Sequence, residues 1–392
     1  MNSTIVSLDV RQGNRDFAAK LMYYLAFSIY SAAYILSYTT LDNYRLTSVT
    51  QYVSIVLLIA KICFQRFSYK ELAVICLFLT VGLLSWVQTD DKNFLIFFAF
   101  IAAGKNISVK KLAKIILIEE IVICLIVVIF SQIGFIENIV QIRTSETGFR
   151  MRYAMGYSHP NRFGSSILAI ACAYAISKFP KFQFLDVIFY LSLSLLVTII
   201  ADSRTSALTI LVVMLVSAIV SKTYITRTRF IICVSMFFIF MCIFCLSIYA
   251  MFSYDGSNYL LAKMDTFLSG RFTLSHFYFE RFPLKLFGYK VSSLDNLIFG
   301  YDNIVIDNAY VKLFILYGII PGILFITLYI WLFVHALKVN TISAVLFGAF
   351  IYACVGLTEW QTMHFAMNYA LIGCSALLYQ NHSDTQREKA QS

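Results

Sequence analysis

Charged side chains are scarce in this chain. They make up 13% of its 392 residues against 60% hydrophobic, and the mean hydropathy is +0.77. A soluble domain of this size cannot hide so much apolar surface in one core, so a water-soluble fold is excluded. Cysteine is missing from every polar stretch: all nine (Cys63, Cys76, Cys124, Cys172, Cys233, Cys242, Cys245, Cys354 and Cys374) fall inside apolar segments. That placement indicates neither a disulfide framework nor a zinc site, and Cys242 with Cys245, a CxxC without a partner pair, reads as small core hydrophobes. The chain also has no internal repeat, no low-complexity tract and no paired helices broken by Gly and Pro, which weakens a transporter built from inverted halves.

What is present is a succession of apolar runs, most of about 18 to 22 residues, the length that crosses roughly 30 Å of hydrocarbon as helix. Twelve are read, at about 18–38, 47–65, 71–88, 92–105, 113–134, 160–178, 183–201, 205–221, 230–252, 308–336, 340–357 and 362–380. The first is too long for a signal-peptide core and is expected to stay as an anchor. The run at 92–105 is short and is compatible with a re-entrant segment. The fold expected is an all-α polytopic membrane protein, a single integral membrane domain over 1–392 that carries one large extracytoplasmic loop, 253–307.

The net charge of +10 falls mainly in the short connections. With the N-terminus inside, the inner connections hold Arg66 and Lys70; Lys105, Lys110, Lys111 and Lys114; Lys178 and Lys181; Lys222, Arg227 and Arg229; and Lys338. The short outer ones hold Asp42 with Arg45, Asp90 and Asp91 with Lys92, Asp202 with Arg204, and Glu359. This is the bias of a membrane topology signal rather than of a nucleic-acid site, and it puts both termini in the cytoplasm.

The same topology sends three polar clusters, 135–161, 202–204 and 253–307, to one outer face, where an active site would form. In Gly156-Tyr157-Ser158-His159-Pro160-Asn161, Pro160 suits a first helical turn with Ser158 or His159 near the cap, and His159 and Asn161 can bond sugar hydroxyls or phosphate. In Asp202-Ser203-Arg204-Thr205, Arg204 either snorkels to headgroups or, backed by Ser203 and a helix N-terminus, clamps a phosphate. Ser269-Gly270-Arg271 opens the large loop, its glycine permitting a turn that aims Arg271 inward; the aromatic run after it reads equally as an interfacial belt or a sugar platform. Asp307-Asn308-Ala309-Tyr310 closes the loop, as a helix cap, a site, or both; Asp307 at the mouth of an apolar helix needs a partner such as Arg204 or Arg271. Glu119, Glu120 and Lys312 are expected to satisfy one another or nearby polar groups, and Glu359 and Asn368 are further candidates to line the same cavity.

These stretches resemble the Wzy family of O-antigen and capsule polymerases, within the superfamily that includes the WaaL O-antigen ligases. Gly156 to Asn161 is similar to a Gly-aromatic-x-His-Pro-Asn signature, Ser203-Arg204-Thr205 to an outer-turn Arg motif, and Gly270-Arg271 to the Arg motif opening the large loop. The ligase frame, His then Asn, Ser or Gln, nine residues and Gly, is held here by Asp307, Asn308 and Gly318, with Pro321 in its last place; Asp for His favours a polymerase. The resemblance implies a helical fold similar to lipid-dependent glycosyltransferases in a bacterial cytoplasmic membrane. It implies undecaprenyl-diphosphate-linked oligosaccharide as substrate, with membrane lipids and a flippase and chain-length regulator of the same pathway as partners. It further implies inverting transfer without cofactor or metal, with Asp307, Arg204 and Arg271 catalytic and His159, Asn161, Asn308, Tyr310 and Ser203 binding substrate. The predicted outer loops contain no Asp-x-Asp pair. An O-antigen ligase, a flippase or carrier, and a non-catalytic scaffold are the alternatives.

Overall fold

The computed structural model describes residues 2–145, 148–224, 229–290 and 306–379; Arg227 and residues 291–305 of the large loop lie outside it, as does residue 380. The chain is predominantly helical. Its first part comprises α1 (Asn2–Leu36), α2 (Tyr44–Phe64), α3 (Tyr69–Thr89), α4 (Asn93–Ala102) and α5 (Val109–Gln132). A hairpin, β1 (Val140–Ser145) and β2 (Gly148–Tyr153), leads into α6 (Pro160–Lys178), α7 (Phe184–Ala201), α8 (Arg204–Tyr224) and α9 (Arg229–Ser253). The loop region carries α10 (Tyr259–Phe267) and α11 (Arg271–Arg281), and α12 (Ala309–Lys312), α13 (Ile319–Val339), α14 (Ala344–Val355) and α15 (Gly373–Leu378) complete the order.

Seven helices, those at Arg15–Leu36, Tyr44–Phe64, Tyr69–Thr89, Phe184–Ala201, Arg204–Tyr224, Arg229–Ser253 and Ile319–Val339, are long and apolar enough to cross a membrane. Their outward faces are themselves apolar, with Ile199 69% and Phe238 67% exposed, which suits hydrocarbon and not water. Helix α4 is apolar all round and has every residue buried, so it is the hub the longer helices pack around. Phe100 of α4 stacks on Phe365 with ring centroids 4.6 Å apart, and Phe94 and Phe97 both reach Phe325 of α13.

Besides 340–357, which holds only the twelve-residue helix α14, three predicted spans take a different local form. The run 92–105 contains a helix of only ten residues, which lies beside α3 as an antiparallel partner: Lys105 pairs with Glu71, and Phe78 stacks on Phe98. The run 362–380 is mostly three short 3₁₀ turns, Trp360–Met363, Phe365–Met367 and Tyr369–Ile372, before α15. Such irregular backbone is tolerable at membrane depth only where protein satisfies it, and Asn368 does this by donating to Thr362 O at 2.8 Å and Tyr329 Oη at 2.9 Å. Asn368 is fully buried in that structural role.

The third case is 308–336, expected as one helix. Here α12 runs into a π turn, Leu313–Tyr317, and breaks at Gly318 before α13 begins. Gly318 sits at φ +94° and ψ −178°, a conformation that only glycine adopts without strain. Into the break fits the loop after α11: Ile319 N–H donates to Lys285 O, Ile320 N–H to Leu286 O, and Tyr289 N–H to Leu316 O, all at 2.9–3.0 Å. The polar loop thus satisfies the orphan amides that open α13. A Cβ on Gly318 would meet Gly288 N at 2.4 Å, whereas one on Gly134, at φ +77°, meets nothing. Gly318→Ala is therefore expected to cost at least about 3 kcal/mol, and Gly134→Ala about 1 kcal/mol of backbone strain alone. Thermal unfolding of the two variants in the same detergent checks the difference.

Candidate functional site: two adjoining chambers at one end of the bundle

One end of the bundle collects the last residues of α7 and the first residues of α6, α8, α11 and α12. The hairpin lies on the same side, its β2 bonded to the end of α7 through Arg152. The opposite ends of the helices carry basic residues in local bonds: Lys178 pairs with Asp186, and Lys110 donates to Phe179 O at 2.7 Å.

Each candidate side chain reaches the cavity end through a short capping device. His159 caps α6, its Nδ1 accepting the Asn161 N–H at 3.0 Å, with Pro160 in the first turn where no N–H is needed. Asp202, in the left-handed region at φ 44°, ends α7 and turns the chain so that α8 starts at Arg204. Gly270, at φ +82°, turns the chain into α11, and Asp265 caps that helix by accepting the Phe272 N–H at 2.6 Å. The turn points Arg271 inward, where it is 6% exposed.

A chamber of about 720 Å³ results, lined by His159, Asn161, Ser203, Arg204, Arg271 and Asp307 together with Arg152. A second chamber of about 360 Å³ shares His159, Asn161, Arg271 and Asp307 with the first and adds Arg162, Glu359, Trp360 and Gln361. Residues from distant parts of the sequence therefore meet around one space. Arg271 Nη2 lies 3.3 Å from Asp307 Oδ2 and donates to Thr358 O at 2.9 Å, while Nη1 donates to Leu268 O at 2.6 Å. Its Nε–H is buried without a partner among the described residues. Arg204 stands at the rim, 63% exposed, with Nε 3.7 Å from Asp202 Oδ1. Ser203 Oγ lies 3.0 Å from Ser206 Oγ.

Asn308 and Tyr310 are not brought to this space. Asn308 is 1% exposed; its Oδ1 caps α12 through the Tyr310 N–H at 3.0 Å, and its Nδ2 donates to Ser247 Oγ at 2.9 Å. Tyr310 is 3% exposed and donates to Ala353 O at 2.6 Å. Both residues fasten α12 to α9 and α14 and leave Asp307 alone to face the cavity. Glu119 bonds Ser28 and Ser31, Glu120 accepts from Ser166 Oγ at 2.6 Å, and Lys312 Nζ lies 3.4 Å over the Trp360 ring. These contacts are to polar or aromatic neighbours, while the other carboxyl oxygen of Glu120, Oε1, is buried without a partner among the described residues.

Sequence reasoning passed over Arg152, Arg162, Trp360 and Gln361, all on the cavity walls. Arg152 lies on the hairpin, where Nε donates to Ala201 O at 2.9 Å and Nη2 to Asn161 Oδ1; the alternation of Arg150 and Arg152 was the available signal, since strand residues two apart share a face. Arg162 lies 4.4 Å over the Tyr38 ring and 5.2 Å from that of Trp360. Gln361 carried no local signal. Glu359, expected as an outer charge and as a candidate to line the cavity, does line the second chamber; it is 9% exposed and accepts from Ser165 Oγ at 2.9 Å and from Ser206 Oγ at 3.4 Å.

The electrostatics separate the titratable groups. Burial, the nearby Asp307 charge adding to it, raises Glu359 to about 7, with Arg271, Ser165 and Arg162 pulling it back. Burial also raises Asp307, against the pull of Arg271, Lys312 and Arg162. Burial and the neighbouring Arg152 and Arg162 lower His159 to about 4, so it is neutral near pH 7, and because its Nδ1 accepts the Asn161 N–H its proton sits on Nε2. Among the described residues no group of three His, Cys, Asp or Glu side chains is arranged to hold a metal ion. Compared with known proteins, the chain matches no family model, no curated protein and no solved structure.

Proposed function

We propose that the protein is a polysaccharide repeat-unit polymerase of the bacterial cytoplasmic membrane, a glycosyltransferase that uses undecaprenyl-diphosphate-linked glycans. The single observation behind this reading is the meeting of Arg204, Arg271 and Asp307, from three distant parts of the chain, on one cavity at one end of an apolar bundle. In this reading the chain crosses the bilayer twelve times, with α4 and the 3₁₀ segment as short crossings inside the protein, both termini in the cytoplasm and the cavity on the extracytoplasmic face. A diphosphate is a dianion or more, and the larger chamber offers it Arg152, Arg204 and Arg271.

The reaction is a displacement. A hydroxyl oxygen of the acceptor glycan forms a bond to the anomeric carbon of the donor, the bond from that carbon to the phosphate oxygen breaks with its electron pair, and configuration inverts. Negative charge grows on the departing undecaprenyl diphosphate, and fixed guanidinium groups in a partly enclosed cavity stabilise such charge more than water does. Asp307 holds the Arg271 guanidinium at the boundary between the chambers and orients the attacking hydroxyl, and the Nε2–H of His159 donates to a sugar or phosphate oxygen. Cells that lack this protein are expected to accumulate single repeat units on the lipid carrier; their extracted glycans, resolved by size, decide the matter. Long chains left unattached indicate a ligase instead, an empty outer leaflet a flippase, and an unchanged ladder ends the proposal.

A further inference from the structure

The two chambers differ in chemistry. Arg152 and Arg204 line only the larger one, with Ser203, Thr205, Thr209 and Thr266, so an anion is best held there. The smaller one presents hydroxyl and amide groups from Ser158, Ser165 and Gln361 beside a buried carboxylate, a set that bonds neutral polyols. Its added cation, Arg162, lies over Tyr38 and within 5.2 Å of the Trp360 ring centroid, and Lys312 lies over that ring as well, so Trp360 holds cations in place and is not a free stacking platform. A volume of about 360 Å³ falls in the range of small-ligand pockets. The shared wall of His159, Asn161, Arg271 and Asp307 is where occupants of the two chambers would touch.

We propose that the smaller chamber seats the terminal sugar of the acceptor glycan and that Glu359, on its wall, takes the proton of the attacking hydroxyl. The inference rests on the polymerase reading and adds to it a second substrate site and a proton acceptor. The bookkeeping of the step closes: the acceptor O–H bond breaks, its proton goes to the Glu359 carboxylate, the oxygen bonds to the anomeric carbon, and the diphosphate leaves with the electron pair. Ser165 and Ser206 hold the two carboxyl oxygens from α6 and α8, which keeps the group aimed from a rigid part of the bundle. Asp307, Arg271 and Arg162 are the charged groups that face it.

The test uses the full-length protein in lipid nanodiscs. The donor is the lipid-linked repeat unit extracted from cells lacking this protein, and the acceptor is the same glycan released from its lipid by mild acid, so that water-soluble product reports transfer to it. Gln361→Ala is expected to raise KM for the released glycan by about tenfold and to leave donor KM within about twofold. Glu359→Gln, which keeps the shape and one of the two serine bonds and lets the other serine accept from the amide instead of donating, is expected to lower kcat by about 100-fold with both KM values nearly unchanged, and Glu359→Asp to restore part of the rate. A rise in donor KM instead of glycan KM in Gln361→Ala, or a Glu359→Gln rate within about threefold of wild type in folded protein, overturns the inference and leaves the polymerase reading standing. Wild-type protein that transfers to no acceptor overturns both.

Discussion

Arg271→Lys is expected to lower the polymerisation rate by about 100- to 1,000-fold, the loss typical of removing one preorganised donor to a developing negative charge. The reason lies in the fork. One nitrogen of the guanidinium is spent on Leu268 O at 2.6 Å and another on Thr358 O at 2.9 Å, and the second also faces Asp307 at 3.3 Å, so the group is locked to the loop, to the turn before Trp360 and to α12 at once. Of the five N–H groups three are engaged in this way, and the Nε–H is buried without a partner among the described residues. A lysine ammonium keeps the charge but not the planar spread of donors, so it can hold the backbone carbonyls or face the substrate, and not both in the same geometry. Arg271→Met separates charge from position: it leaves Asp307 and Glu359 without their buried cation and is expected to cost about 3–5 kcal/mol of stability, which the lysine variant avoids. Rates measured with the lipid-linked repeat unit, alongside thermal unfolding, distinguish the two. A lysine variant within about threefold of the wild-type rate removes Arg271 from the mechanism.

Much of this arrangement was legible where the determinant was local. Gly270 before Arg271, Pro160 after His159 and the tight turn at Asp202 each force a backbone direction within a few residues, and in all three the side chain faces the cavity. The apolar runs were legible for the same reason, because a long run in lipid has only the helix available to satisfy its amides. What escaped depends on residues far apart in sequence. Glu359 was a candidate for the cavity wall and does line it, but its bonds to Ser165 and Ser206, 194 and 153 residues away, could not be read from any spacing near it. The break at Gly318 needed the loop at 285–289 to fill it; the Gly318 and Pro321 pair was visible, but an uninterrupted apolar run outweighed it. Asn308 and Tyr310 show the reverse error. They sit beside Asp307 in sequence, and helix geometry turns them into the protein while Asp307 faces out.

The transfer rate at saturating substrate is expected to rise with pH through about 7 and then level, because only the ionised Glu359 can accept a proton and burial holds its pKa near that value. Between pH 5 and pH 8 the ionised fraction of such a group grows by about two orders of magnitude, and the rate should follow it. His159 contributes no inflection in this range, since it is held near 4 and stays neutral throughout. Asp307 supplies the second half of the test. Its charge is the largest influence after burial that raises Glu359, so Asp307→Asn is expected to move the inflection to lower pH, even as the loss of an orienting carboxylate lowers the plateau. Stability runs the other way. A carboxyl raised from 4.5 to about 7 in the fold favours folding fully below 4.5, and that contribution is lost as pH rises to about 7, so wild type should lose thermal stability across this window more steeply than Glu359→Gln. An inflection that stays in place in Asp307→Asn, or a stability slope identical in Glu359→Gln, would mean that the two carboxylates do not share the electrostatic environment that their common cavity wall implies.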